Sequence, residues 1–270
     1  MIGIFDSGVG GMTVARTVEQ FCPQYPLLYF GDIARSPYGS KSPEAVIACS
    51  RRNTDFLLSR GATVIIVACN TAAATAAEHL RAQYSVPIID VITATTGKAV
   101  ERTRNRKIGI IGTRATVRSG MYEKQIRELD PECRIFSRAC PLLVPLIEEG
   151  WLKQRETKMI LRRYLHPLRQ RQVDTLILGC THYPLLAELI RRRIGRRVRL
   201  IDSSVETARY LKTFLDNSSE IPSNIRRTAG SAPPHHPELN RFFVSDSTPP
   251  LQQLADDIFG RKINLIKVNV

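Results

Sequence analysis

Val64-Ile65-Ile66-Val67-Ala68-Cys69-Asn70-Thr71 and Thr175-Leu176-Ile177-Leu178-Gly179-Cys180-Thr181-His182 are the two stretches that decide the fold. Each is a short, mostly apolar run that ends on a cysteine and then on residues suited to open a helix. A run without polar alternation reads as a strand buried on both faces of a parallel sheet. The cysteines lie 111 residues apart. A second matching pair, Ile2-Gly3-Ile4-Phe5-Asp6 and Ile108-Gly109-Ile110-Ile111-Gly112, is offset by 106. Such similar offsets predict two halves with one topology, each presenting a cysteine at the same place.

Outward from these runs, short apolar stretches alternate with helical patterns. Strands are expected at 2–5, 27–30, 63–68, 87–92, 108–112, 134–137, 174–178 and 198–201. Helices are expected near 11–21, 42–59, 72–83, 94–104, 116–129, 153–171, 185–194 and 205–215. This βαβα rhythm predicts an α/β fold with open parallel sheets and right-handed crossovers. Residues 216–240, with Pro222, Pro233, Pro234 and Pro237, read as an irregular connection. A strand near 241–245, a helix near 250–259 and an apolar tail at 263–268 follow.

With 270 residues, 43% hydrophobic and 24% charged, the chain has a globular composition and needs no disulfide staples. Its six cysteines contain no C-x-x-C pair, which argues against a disulfide framework and structural zinc and for a reducing compartment. The start, Met-Ile-Gly-Ile-Phe-Asp, lacks the basic and apolar regions of a signal peptide, and no run is long enough to span a membrane. The expectation is a cytoplasmic protein with no membrane partner. The net charge of +14, much of it in arginines between 162 and 199, suits polyanions and anionic small molecules. A solvated basic helix surface is the simpler account of it.

The cysteines carry the chemistry. In open α/β sheets ligands bind beyond the carboxyl ends of strands, where Cys69 and Cys180 fall. A helix N-terminus beside Cys69 favours thiolate, and its first-turn N–H groups suit a carboxylate. Asn70 and Thr71 are good cap residues. His182, two residues beyond Cys180, is placed to take or orient a proton. One such cysteine alone would be read as a small apolar core residue; two at equivalent points are not. The loop Asp6-Ser7-Gly8-Val9-Gly10-Gly11-Met12-Thr13 departs from a dinucleotide fingerprint at Thr13, and Asp6 would repel a pyrophosphate. Asp6 is instead a candidate base or orienter. The turn around Pro37 and Gly39 can offer N–H groups to a carboxylate. Thr113 and Thr116 either bind a ligand or cap a helix. Glu148 and Glu149 close a short helix, where they oppose its dipole.

Together, Phe5-Asp6-Ser7-Gly8-Val9-Gly10-Gly11, Pro37-Tyr38-Gly39, Ala68-Cys69-Asn70-Thr71-Ala72, Val144-Pro145-Leu146-Ile147-Glu148-Glu149 and Gly179-Cys180-Thr181-His182-Tyr183-Pro184-Leu185 resemble the glutamate racemases of the aspartate/glutamate racemase family. The resemblance implies two pseudo-symmetric domains with the active site between them. The first would comprise 1–93 and 207–270, the second 94–206. It implies interconversion of L-glutamate and D-glutamate for peptidoglycan, with no metal, no pyridoxal phosphate or other cofactor, and a homodimer as the common assembly.

By position, Cys69 resembles the base for D-glutamate and Cys180 the base for L-glutamate. Asp6 resembles the residue assisting the first, and His182 the one assisting the second, with Glu148 in support. Ser7, Pro37, Tyr38, Gly39, Asn70, Thr71, Thr113, Thr116 and Thr181 resemble substrate contacts, as do Asp6 and His182. His182 itself favours glutamate over aspartate. Asp90, Thr93-Ala94-Thr95, Ser36 and Ser204 depart from the family pattern, and the basic charge is atypical of it. The competing readings are an aspartate racemase or related two-cysteine enzyme, and a basic nucleic-acid-binding regulator.

Overall fold

The computed structural model describes residues 1–217 and 239–270. The expected connection at 216–240 therefore lies largely outside the described residues.

The first half runs β1 (Ile2–Asp6), α1 (Met12–Phe21), β2 (Leu27–Gly31), α2 (Pro43–Leu58), β3 (Val64–Val67), α3 (Asn70–Gln83), β4 (Ile88–Asp90) and α4 (Val91–Arg102). The second runs β5 (Lys107–Gly112), α5 (Arg114–Ser119), α6 (Met121–Leu129), β6 (Arg134–Ala139), α7 (Leu143–Glu148), α8 (Arg155–Gln170), β7 (Thr175–Gly179), α9 (Ala187–Ile194) and β8 (Arg199–Asp202). Then follow α10 (Ser203–Asn217), β9 (Arg241–Val244), α11 (Pro249–Phe259) and β10 (Leu265–Lys267).

The strands form two sheets, β10-β9-β2-β1-β3-β4 and β6-β5-β7-β8, with every described pairing parallel. The block β2-β1-β3-β4 repeats as β6-β5-β7-β8, so the expected internal symmetry is real at the level of strand order. Strand order reverses beside β1 in one sheet and β5 in the other. Ligand crevices open at such reversals, beyond the strands' carboxyl ends. Cys69 follows β3 and Cys180 follows β7, each beside the central strand of its sheet.

The apolar runs are strands because both faces are covered. β1, β2, β3 and β7 are buried along their whole length. One continuous core joins Ile4, Ile65 and Ile66 of the first sheet to Ile108, Ile110, Ile177 and Ile201 of the second, through the packing of α1, α4 and α10. A smaller core lies where α8 and α9 cover the other face of the second sheet.

Two expectations need correction, and a third gains detail. The strand placed at 87–92 ends at Asp90, whose carboxylate accepts from Ile92 N at 2.8 Å and Thr93 N at 2.9 Å. Asp90 thereby starts α4 at Val91, ahead of the expected 94. The helix expected over 116–129 is two, because Gly120 takes the left-handed conformation (φ 65°) between α5 and α6. The apolar tail at 263–268 contains β10, an edge strand paired parallel with β9.

Candidate active site

A cavity of about 300 Å³ lies between the carboxyl ends of the two sheets, a size at the lower end for small-molecule sites. Cys69 and Cys180 both line it, each only 6% exposed. The strand–cysteine–helix order that the sequence repeats thus brings two thiols from different sheets to one chamber.

Each thiol has its own partners. Cys69 donates toward Ser7 Oγ at 3.5 Å. Burial and the neighbouring Asp6 carboxylate push its thiol up to about 12. Cys180 Sγ lies 3.9 Å from His182 Nδ1, and His182 Nε2 lies 3.1 Å from Glu148 Oε1. Burial would lower the basicity of His182, but its bonds to Cys180 and Glu148 outweigh burial and raise it to about 10. The imidazole is therefore a cation near neutral pH. The 3.9 Å separation is long, even for sulfur.

Asp6 joins the halves from behind. It is fully buried, accepting from Gly8 N and Gly11 N at 3.0 Å each and from Thr181 Oγ1 of the other half at 3.4 Å. Burial raises its pKa, while His182 and the N–H donors act the other way. Thr13 Oγ1 also crosses, donating to Thr181 O at 3.0 Å. Gly10 permits this closeness: a Cβ there would meet His182 Nδ1 at 2.4 Å.

The remaining expected contacts divide. Ser7, Pro37, Tyr38, Gly39, Asn70 and Thr71 line the cavity from the first half, and Thr113, Glu148, Thr181 and His182 from the second. Asp6 and Thr116 do not line it. Thr116 lies behind the wall, 3.3 Å from Thr71 Oγ1 and 3.0 Å from Thr113 Oγ1, so that three hydroxyls form one cluster. Tyr38 turns its hydroxyl away from the cavity, donating to Asp32 at 2.6 Å and accepting from Asn53 at 3.0 Å. Sequence reasoning missed Asp32, Asn53 and Thr13 as supports, and Cys140 and Pro141 as lining residues. Thr13 stood in a loop already singled out, and Asp32 lies five residues ahead of the Pro37 turn; Asn53 and Cys140 carry no local signal. Among the described residues no group of three His, Cys, Asp or Glu side chains is placed to hold a metal ion.

The departures from the family pattern have structural roles. Asp90 caps α4 and pairs with Arg81. Ser204 donates to Asp202 at 2.7 Å and accepts from Thr17 of α1 at 3.4 Å. Ser36 lines the cavity.

A two-sheet α/β architecture with a cysteine from each half in one cavity frames a racemase site, and the comparisons agree on that class. The Asp/Glu/Hydantoin racemase family matches residues 12–211, and the chain belongs to that family. It is 43% identical over 262 residues to the glutamate racemase of Geobacter metallireducens, covering 97% of this chain and 93% of that one. Among solved structures, glutamate racemase RacE1 of Bacillus anthracis superposes with a TM-score of 0.92 at 36% identity, covering 100% of this chain and 97% of that one. Glutamate racemase of Francisella tularensis, solved with D-glutamate, gives 0.87 at 32% identity, covering 99% and 97%.

Proposed function

We propose that this protein is a racemase that interconverts L-glutamate and D-glutamate by proton transfer between Cys69 and Cys180. The observation that carries the reading is the pair of thiols from pseudo-equivalent strand ends in one cavity, each with a separate set of proton partners. Near-full-length likeness to glutamate racemases supports the choice of substrate.

Inverting a stereocentre needs an acid on one face and a base on the other. With L-glutamate bound, Cys180 thiolate takes the α-proton and becomes a thiol. The electron pair of the broken C–H bond stays on the α-carbon, delocalised into the carboxylate. Cys69, held as a thiol by burial and Asp6, then gives its proton to the opposite face and is left a thiolate. The reverse direction exchanges the roles. The carbanion is costly, so the mechanism requires donors at the carboxylate and exclusion of water. Asn70 and the hydroxyls of Thr71 and Thr113 are the donors nearest at hand. His182, as a cation beside Cys180, offsets negative charge on that face. The residues proposed to act directly are Cys69, Cys180 and His182; Asp6 and Glu148 act by orienting and by charge. We assign 1–93 with 207–270, and 94–206, as the two domains that hold the opposite faces, and supply of D-glutamate to peptidoglycan as the role.

The test is deuterium incorporation at Cα in D2O from each enantiomer without added cofactor. Wild type should exchange and racemise both. Cys69→Ser and Cys180→Ser should each lose racemisation by at least about 100-fold, the low end for a positioned acid/base. Wild type that neither exchanges nor racemises glutamate ends the reading, and aspartate is the next substrate to try.

A second reading concerns the surface. Residues 155–199 hold twelve Lys and Arg against three Asp and Glu, most of the +14; five of the cations lie on α8 and three on the adjoining α9. That face suits nucleic acid, as an addition to catalysis. Binding to duplex DNA should weaken steeply with salt; no binding near physiological salt removes the idea.

A further inference from the structure

Tyr122 takes no part in the chemistry above, yet it touches both half-sites. It is 1% exposed, on α6 of the second half. Its hydroxyl crosses to the first half and donates to Asn70 Oδ1 at 2.6 Å. Its ring lies against Gly179, the residue before Cys180, where a Cβ would meet Tyr122 Cε2 at 3.3 Å. Asn70 follows Cys69, lines the cavity and is only 2% exposed. Its Nδ2 is buried and makes no hydrogen bond.

Buried polar groups are nearly always paired, so an orphaned donor on a cavity wall marks a place for an acceptor. An amide has two distinct ends. A hydroxyl that donates must bind the oxygen, which leaves the NH2 facing the other way. We infer that Tyr122 is a positioning residue: by fixing Asn70 Oδ1, it aims Asn70 Nδ2 into the cavity at a carboxylate oxygen of the substrate. Because the ring rests at the end of the strand that carries Cys180, the same side chain sets the distance between that donor and the second thiol. Freed of the hydroxyl, the amide can rotate and present its oxygen, which repels a carboxylate.

This inference rests on the glutamate reading, and wild-type turnover of glutamate decides that reading separately. Given turnover, kcat and KM are measured in both directions for Tyr122→Phe, Asn70→Ala and the double variant, with thermal midpoints. Tyr122→Phe should lower kcat/KM about tenfold, the scale of one lost charge-assisted hydrogen bond. Most of the change should fall in KM, for both enantiomers. In the Asn70→Ala background the same substitution should add nothing. Unchanged kinetics in Tyr122→Phe, or losses that multiply in the double variant, overturn the inference, since Tyr122 then acts independently of Asn70. A second arm needs no Tyr122 variant. In wild type labelled with 15N-asparagine, the side-chain amide pair absent from Asn70→Ala should shift on saturation with D-glutamate. No shift also overturns it.

Discussion

At the scale of the residue, the site is governed by where protons are held. His182 is raised from 6.5 to about 10 because the bonds to Cys180 and Glu148 outweigh its burial. Its folded value exceeds the unfolded one, so its contribution to stability is fully present below about pH 6.5 and is lost as pH rises through about 10. Glu148→Gln removes the carboxylate partner and should lower the His182 pKa. The alkaline limb of kcat/KM should then move to lower pH, and the thermal midpoint should fall most at neutral and acidic pH, converging on wild type above pH 10. Rate and melting profiles from pH 6 to 10.5 read both effects; a limb that stays in place would detach Glu148 from the proton chemistry.

At the scale of the element, each half places its cysteine by the same device: a buried strand, a cysteine at its end, then a helix. The clearest local specification is at Asp90, where one carboxylate ends β4, caps α4 and holds Arg81. Asp90→Ala should cost about 1–2 kcal/mol, the usual worth of a cap. At roughly 2–4 °C per kcal/mol, the thermal midpoint should fall by about 2–8 °C. Turnover per folded molecule should change little, because Asp90 does not line the cavity. Calorimetry beside an activity assay separates the two. A large loss of activity at an unchanged midpoint would instead make Asp90 part of the site.

At the scale of the whole molecule, the two sheets share a core. Side chains from β1 and β3 lie in one cluster with residues of β5, β7 and β8. Heat unfolding should therefore be one transition, and two resolved transitions would show that the halves are energetically separate. Glutamate contacts both halves in the proposed complex. At about 100 times its Kd it should add about 2.7 kcal/mol and raise the midpoint by roughly 5–11 °C. A calorimetric titration with D-glutamate measures both.

Most of the strands, their parallel arrangement and the two equivalent cysteines were legible in the sequence; the end of β4 and the pairing of β10 were not. What was legible follows from patterns local to a dozen residues: apolar runs too short for a helix, cap residues behind them, and a repeat at nearly constant offset. Resemblance to the family added residues such as Glu148 that no local pattern assigns a role. Only the tertiary structure decided which side chains meet. Asp6 lies behind the wall and bonds Thr181, 175 residues away. Tyr38 points its hydroxyl at Asp32. Tyr122 reaches Asn70 from the other half. Such contacts form between segments whose order along the chain does not fix their separation in space, and a hydrogen bond over 2.6 Å leaves no trace in periodicity or composition.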